Sequence, residues 1–368
     1  MSKLQNIQAL RGVAVLCVVL FHLVIIEGKY AEGTALLPGW LRFGMFGVDL
    51  FFVISGFVMA AVARGKFRQL KESLLFLYHR ASRIYPLYWV YTTLALIVFL
   101  VQPSWVNSSQ GNQVDIAASY LLLPSGLLPL IPVSWTLIHE MYFYIVFFFL
   151  LFLPEKFLAP ALLAWGAIIA FSGFPAWNPF IRVALHPLTL EFIAGCLLGI
   201  HYYNFKPLKM HGYALVAIAS LGLVAAVMGY TRYNSETGLS PLDLAQALYY
   251  GIPAVVIVFC VVHAERNGVV LPDFLVQTGN ASYSIYLSHL FTMNVVGRAW
   301  KLTGLDSHLG NIAALTAAFA LALIVGFLSY RFVETPLLKA SRRVTSRSFR
   351  HRDPPNIDKE VSPPPQRG

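Results

Sequence analysis

Residues 7–26 read IQALRGVAVLCVVLFHLVII. At a helical rise of about 1.5 Å per residue, a run of about 20 residues covers the roughly 30 Å of a bilayer's hydrocarbon core. Arg11 and His22 interrupt the run. A charged arginine at the centre of a membrane helix costs roughly 2.5 to 3.5 kcal/mol on insertion scales. A helix that only had to insert would carry neither residue, so both read as functional. At about 100° per residue, the steps from Arg11 to His22 bring them within about 20° of one face, roughly 16 Å apart along the axis. They cannot touch, but they can line one vertical path.

The rest of the chain extends this reading. Of its 368 residues, 57% are hydrophobic and only 12% charged, with a mean hydropathy of +0.65; soluble domains carry about 25% charged residues. The deficit runs along the whole length and predicts an all-α, polytopic membrane protein. About ten transmembrane helices are expected, at roughly 7–26, 43–63, 83–102, 134–153, 158–174, 186–203, 211–229, 244–263, 281–300 and 311–332. The stretch 116–130 is broken by Pro124, Gly126 and Pro129. It reads as re-entrant or interfacial, with an eleventh span as the alternative. The N-terminus resembles a signal peptide, with Lys3 ahead of an apolar run, but no small-x-small cleavage site follows Ile26, so it is read as a retained helix. Cys17, Cys196 and Cys260 all fall in apolar runs without zinc-site spacing. They read as inert thiols, and no metal is expected.

The net charge of +10 is topological. Nineteen of the 27 Lys and Arg residues fall in one set of loops and tails, and six in the opposite set. The positive-inside rule then places both termini in the cytoplasm, and an even number of spans agrees. No nucleic-acid motif accompanies the charge. Residues 1–339 form one membrane domain. Residues 340–368 are rich in Arg, Ser and Pro and are expected to be a disordered, basic tail whose first half suits an anionic lipid surface. There is no internal repeat of the kind that inverted-repeat transporters carry.

Several polar groups inside the spans are candidates for chemistry. Asp49 lies near the start of the second span, where helix capping is the plain alternative. Ser55 and Gly56 follow, either as a polar site or as small residues that permit close helix packing. Arg80 and Arg83, in the loop 79–89, would neighbour each other on a helix and suit phosphate bidentately. The plain alternative is a cytoplasmic anchor beside Tyr85, Tyr88 and Trp89. Glu140 sits about two turns into the fourth span and reads as functional; His139 points about 100° away and is weaker, and Glu191 is less specific. His289 lies mid-span, as a site residue or a core histidine. Arg331 and Glu334 are three residues apart and are expected to form a local ion pair.

Six strings together, IQALRGVAVLCVVLFH (7–22), FGVDLFFVISGF (46–57), RASRIYPLYW (80–89), SWTLIHEMYFY (134–144), SYSIYLSH (282–289) and RFVETP (331–336), resemble the acyltransferase-3 family of integral-membrane acyltransferases, in the family's order. The resemblance implies a multi-helical enzyme of the bacterial inner membrane. It would move an acyl group, commonly acetyl from coenzyme A, onto a hydroxyl of a surface sugar, a lipid-linked glycan or an antibiotic. The family's arginine-ten-residues-histidine signature falls on Arg11 and His22, and its paired arginines on Arg80 and Arg83. Some members carry a periplasmic esterase-like domain, which this chain is read as lacking. The wording is most similar to members that acetylate exopolysaccharide.

On that resemblance, Arg11, Arg80 and Arg83 are expected to hold the phosphates of acetyl-CoA arriving from the cytoplasm. His22 is the expected general base, a role suited to its unperturbed pKa of about 6.5; a covalent acyl-histidine is the open alternative. Glu140 or Asp49 is expected to orient the imidazole or bind the sugar, and Ser55 and His289 to contact substrate. The rival readings are a multi-span transporter or flippase of a glycan, which leaves the paired arginines unexplained, and a structural membrane partner, which leaves Arg11, His22 and Glu140 without purpose.

Overall fold

The computed structural model describes residues 4–31, 35–107, 111–172, 178–206, 209–237, 244–304 and 307–350. Every regular element among them is helical. The α-helices are α1 (Gln5–Tyr30), α2 (Phe46–Ala63), α3 (Leu70–Val101), α4 (Ser104–Asn107), α5 (Ile116–Leu121), α6 (Trp135–Leu150), α7 (Leu158–Phe171), α8 (Pro179–Ala184), α9 (Thr189–Asn204), α10 (Gly212–Thr237), α11 (Leu244–Gln246), α12 (Ile252–Arg266), α13 (Asp273–Asn280), α14 (Ser282–Thr303), α15 (His308–Ser329) and α16 (Thr335–Arg350). Helix stands at all ten expected positions. Eight helical stretches among the described residues are long and apolar enough to cross a membrane. The two others are α7, short at 14 residues, and α14, which has 22 residues but whose polar side chains include His289, Asn294, Arg298 and Lys301.

The structure corrects one expectation and adds detail to two others. Helix α3 begins at Leu70, well before the expected start at 83, and runs straight through Pro86. Arg80 and Arg83 therefore sit on a helix inside the bundle, not in a loop. The basic residues after the second span had read as a surface segment because they interrupt the apolar run. The stretch 116–130 holds the six-residue helix α5, capped by the Asp115 carboxylate accepting from the Ala118 N–H at 2.9 Å. It ends at Leu122 in the left-handed region, φ 53°. Its free carbonyls are taken by the aromatic residues read as a membrane belt: Tyr88 Oη donates to Ser119 O (2.5 Å), Trp89 Nε1 to Tyr120 O (3.0 Å) and Tyr85 Oη to Leu121 O (2.9 Å). Finally, α16 carries helix to Arg350, into the stretch read as tail; residues 351–368 lie outside the described residues.

Helix α1, which carries Arg11 and His22, is pinned at both ends. The first N–H groups of a helix have no partner within it. Here the Glu265 carboxylate on α12 accepts two of them, from Gln5 and Asn6, each at 2.9 Å. The fully buried Asn6 side chain donates to Val261 O (3.0 Å) and Val269 O (2.9 Å) and accepts from the Leu271 N–H (2.8 Å). At the other end, the Glu27 carboxylate accepts from the Leu36 and Leu37 N–H groups. Helices α2 and α9 cross at reciprocal glycines. A methyl on Gly56 would lie 2.0 Å from Phe192 O, and one on Gly195 2.0 Å from Val53 O. Gly56 is thus a packing residue, and close backbone approach of this kind is a main source of adhesion between helices in lipid. One apolar core joins α1, α2, α3, α6, α9 and α14, and a second joins α1, α2, α10 and α12.

Asn6→Ala should lower stability by about 2–3 kcal/mol, because it strands buried carbonyls and an N–H. The measurement is the thermal midpoint of detergent-purified protein. Gly195→Val should be worse, since backbone cannot yield as a side chain can; an unchanged midpoint in either variant would contradict the contacts above.

Candidate active site

Two cavities open within the bundle, and α1, α2 and α6 wall both. The first holds about 810 Å³ of empty space and is lined by Arg11, Ser55, Arg80, Arg83, Glu140 and Tyr144, among apolar neighbours. The second holds about 1390 Å³ and includes His22, Trp135, His139, Arg182 and His186 in its lining. Val48 and Tyr286 line both, so the two meet there. Arg11 and His22 therefore stand in different cavities, separated by the roughly 16 Å that helical rise dictates.

The first cavity is cationic. Among the described residues, none of its three guanidinium groups has a carboxylate within 4.0 Å. Glu140 accepts from Ser55 Oγ at 2.9 Å and from Tyr144 Oη, and Arg80 lies beside Tyr144. The carboxylate ties α2 to α6, while Arg80 Nε of α3 stays buried without a partner among the described residues. Glu334 lies near Arg11 and Arg83 and accepts from Ser284 Oγ at 2.6 Å. With both carboxylates counted against three arginines, one positive charge is left over. The expected Arg331–Glu334 pair does not form. Residues Tyr330–Glu334 make a π-turn, whose wider winding breaks the i, i+3 register and turns Glu334 inward. Arg331 is exposed and lies over the Phe332 ring.

In the second cavity, His22 is backed by His289. The His289 Nδ1 faces two main-chain carbonyls, Tyr286 O at 2.8 Å and Ile285 O at 3.2 Å. Carbonyls only accept, so Nδ1 carries the proton and Nε2 a lone pair. That Nε2 lies 3.2 Å from His22 Nδ1, whose other contact is Val18 O at 2.9 Å. His22 Nδ1 is therefore the donor, and His22 Nε2 is left as the basic nitrogen of the pair. An oriented imidazole with its second nitrogen free is the arrangement a general base requires.

The candidates thus divide. Arg11, Arg80, Arg83, Glu140 and Ser55 share the first cavity, and His22 lines the second. His289 is fully buried and lines neither; it reaches His22 instead. Asp49 is not brought to the imidazole. It is fully buried, accepts from Gln246 Nε2 at 3.3 Å, lies beside Glu191, and lines neither cavity. The reason is helical: its neighbour Val48 faces the cavities, and one residue further is about 100° round. Glu140 makes no hydrogen bond to His22 but serves the arginine frame. Sequence reasoning missed Tyr144, although its i+4 spacing from Glu140 predicted the contact. It also missed His186 and Tyr286, which sequence spacing does not connect to α1.

The sequence profile of the acyltransferase-3 family, described as an acyltransferase domain, matches residues 4–331. The chain belongs to this family. An exopolysaccharide production protein, ExoZ, of Rhizobium meliloti (strain 1021) is 35% identical over 326 residues, covering 82% of this chain and 93% of that protein. The acyltransferase MdmB of Streptomyces mycarofaciens is 24% identical, with 92% of each chain covered. A Staphylococcus aureus (strain COL) protein with an O-acetyltransferase name is 24% identical over 92% of this chain and 58% of its own length. No solved structure matches. The protein is a multi-pass membrane acyltransferase of all-α architecture.

Within the family's reaction, Asp49→Asn should leave transfer within about threefold of the unsubstituted rate, because Asp49 lies outside both cavities. Glu140→Gln should lower it far more, because it removes the carboxylate that Ser55 and Tyr144 hold in the arginine-lined cavity. Initial rates of label transfer by purified protein decide between them.

Proposed function

We propose that this protein transfers an acetyl group from acetyl-CoA to a hydroxyl of an exopolysaccharide sugar, or of its lipid-linked precursor, at the bacterial inner membrane. The observation that carries the reading is the pairing of a surplus-cation cavity with an oriented histidine in an adjoining one. The name of the Rhizobium relative supports the acceptor class.

Arg11, Arg80 and Arg83 hold the phosphates of acetyl-CoA, where bidentate guanidinium contacts are strongest. The loop and tail charges support a cytoplasmic side for this cavity and for both termini. The acyl arm passes Val48 and Tyr286 to reach His22. His22 Nε2 accepts the proton of the acceptor hydroxyl as its oxygen attacks the thioester carbonyl. The C–O bond forms, the C–S bond breaks, and His22 returns the proton to the departing thiolate. His289 holds His22 in the reactive tautomer and is a positioning residue. Ser55 and Tyr144 fix Glu140 in the cavity that the three arginines line.

In nanodiscs supplied with radiolabelled acetyl-CoA and crude polysaccharide, His22→Ala should cut transfer by about 10²–10⁴-fold, the usual worth of a general base, while donor binding persists. Arg83→Ala should weaken donor binding by about 10–100-fold, from a lost charged hydrogen bond of about 1.5–3 kcal/mol. His289→Phe should lower kcat and alter its pH profile without changing donor affinity. A fully active His22→Ala protein, or donor binding indifferent to Arg83, would overturn the reading.

A further inference from the structure

The second cavity carries polar groups that the reaction at His22 does not use. His139 and His186 pack ring against ring, with centroids 4.5 Å apart, and Trp135 meets His139 at 5.7 Å. Both imidazoles are more than nine-tenths buried. His186 Nδ1 accepts the Leu188 N–H at 3.2 Å, so its own proton sits on Nε2. That N–H is buried with no partner among the described residues, and His139 Nδ1 is likewise unmatched. Buried polar atoms are nearly always satisfied. Two that are not, on the wall of one cavity, mark where a bound molecule supplies the missing partners.

The rest of the lining sets that molecule's chemistry. It is mostly apolar, with the Trp135 indole as a flat surface; Arg182 is its one permanently charged side chain, and no carboxylate lines it. A ring with apolar faces and a rim of hydroxyls fits such a wall, and a cationic one does not. We infer that His139, His186 and Trp135 form the acceptor-sugar subsite, which takes an uncharged or acidic pyranose and presents one of its hydroxyls to His22. This assignment rests on the acyl-transfer reading above.

The test uses the full-length protein in nanodiscs, with radiolabelled acetyl-CoA and crude extracellular polysaccharide. Two variants isolate the subsite. His139→Phe removes no hydrogen bond made within the described protein. His186→Asn retains an oxygen able to accept the Leu188 N–H but loses the unpartnered Nε2. Each should raise the KM for polysaccharide about tenfold, with the KM for acetyl-CoA, its slow hydrolysis without acceptor, and the thermal midpoint all unchanged. Methyl glucopyranoside and methyl glucuronide should compete with polysaccharide, and methyl glucosaminide, cationic at neutral pH, should compete least. An unchanged polysaccharide KM, parallel loss of hydrolysis and transfer, or the glucosaminide as the best competitor would overturn the subsite. Failure of the unsubstituted protein to bind or cleave acetyl-CoA would instead remove the transfer reading, and the subsite with it.

Discussion

Three guanidinium groups held among apolar helices set the terms for everything around them. Charge in a low-dielectric interior has to be matched by opposite charge or hydrogen bonds, or it does not stay. The protein supplies part of the match: Glu140 and Glu334 nearby, the Tyr144 hydroxyl, and helix positions that keep Arg11, Arg80 and Arg83 around one cavity. It withholds the remainder, since among the described residues no carboxylate comes within ion-pair distance of the three. A site left short of negative charge is costly for an empty protein and favourable for one that receives a polyanion.

Packing explains how such a site is afforded. Gly56 and Gly195 let α2 and α9 approach backbone to backbone, and Ser55, one residue from that crossing, is thereby aimed at Glu140. The same crossing turns Asp49 away toward Glu191 and Gln246.

The membrane architecture was legible in composition and run length, because hydrocarbon thickness constrains sequence directly. The facing of Arg11 and His22 was legible too, since helical periodicity fixes it. What escaped was contact between distant helices. His289 could be placed mid-span but not behind His22, and His186 had nothing in its sequence neighbourhood to link it to α1. The start of α3 was misplaced because its first turns, with Lys71, Arg80 and Arg83, look like a surface loop until the cavity that Arg80 and Arg83 line is known. The Arg331–Glu334 pair failed for a local reason, a π-turn that no spacing rule anticipates.

Helix α1 has one more property. It is continuous over 26 residues, clamped by Glu265 and Asn6 at its first turn and tied near its last by Glu27 and by Tyr30 Oη donating to Asn294. Arg11 and His22 are thus fixed marks on one rigid rod. On the proposed reading, α1 works as a gauge: it admits to reaction only donors whose anionic end and reactive carbonyl are separated by the distance between those two marks, so a short thioester lacking the nucleotide end can enter either cavity but cannot occupy both marks at once.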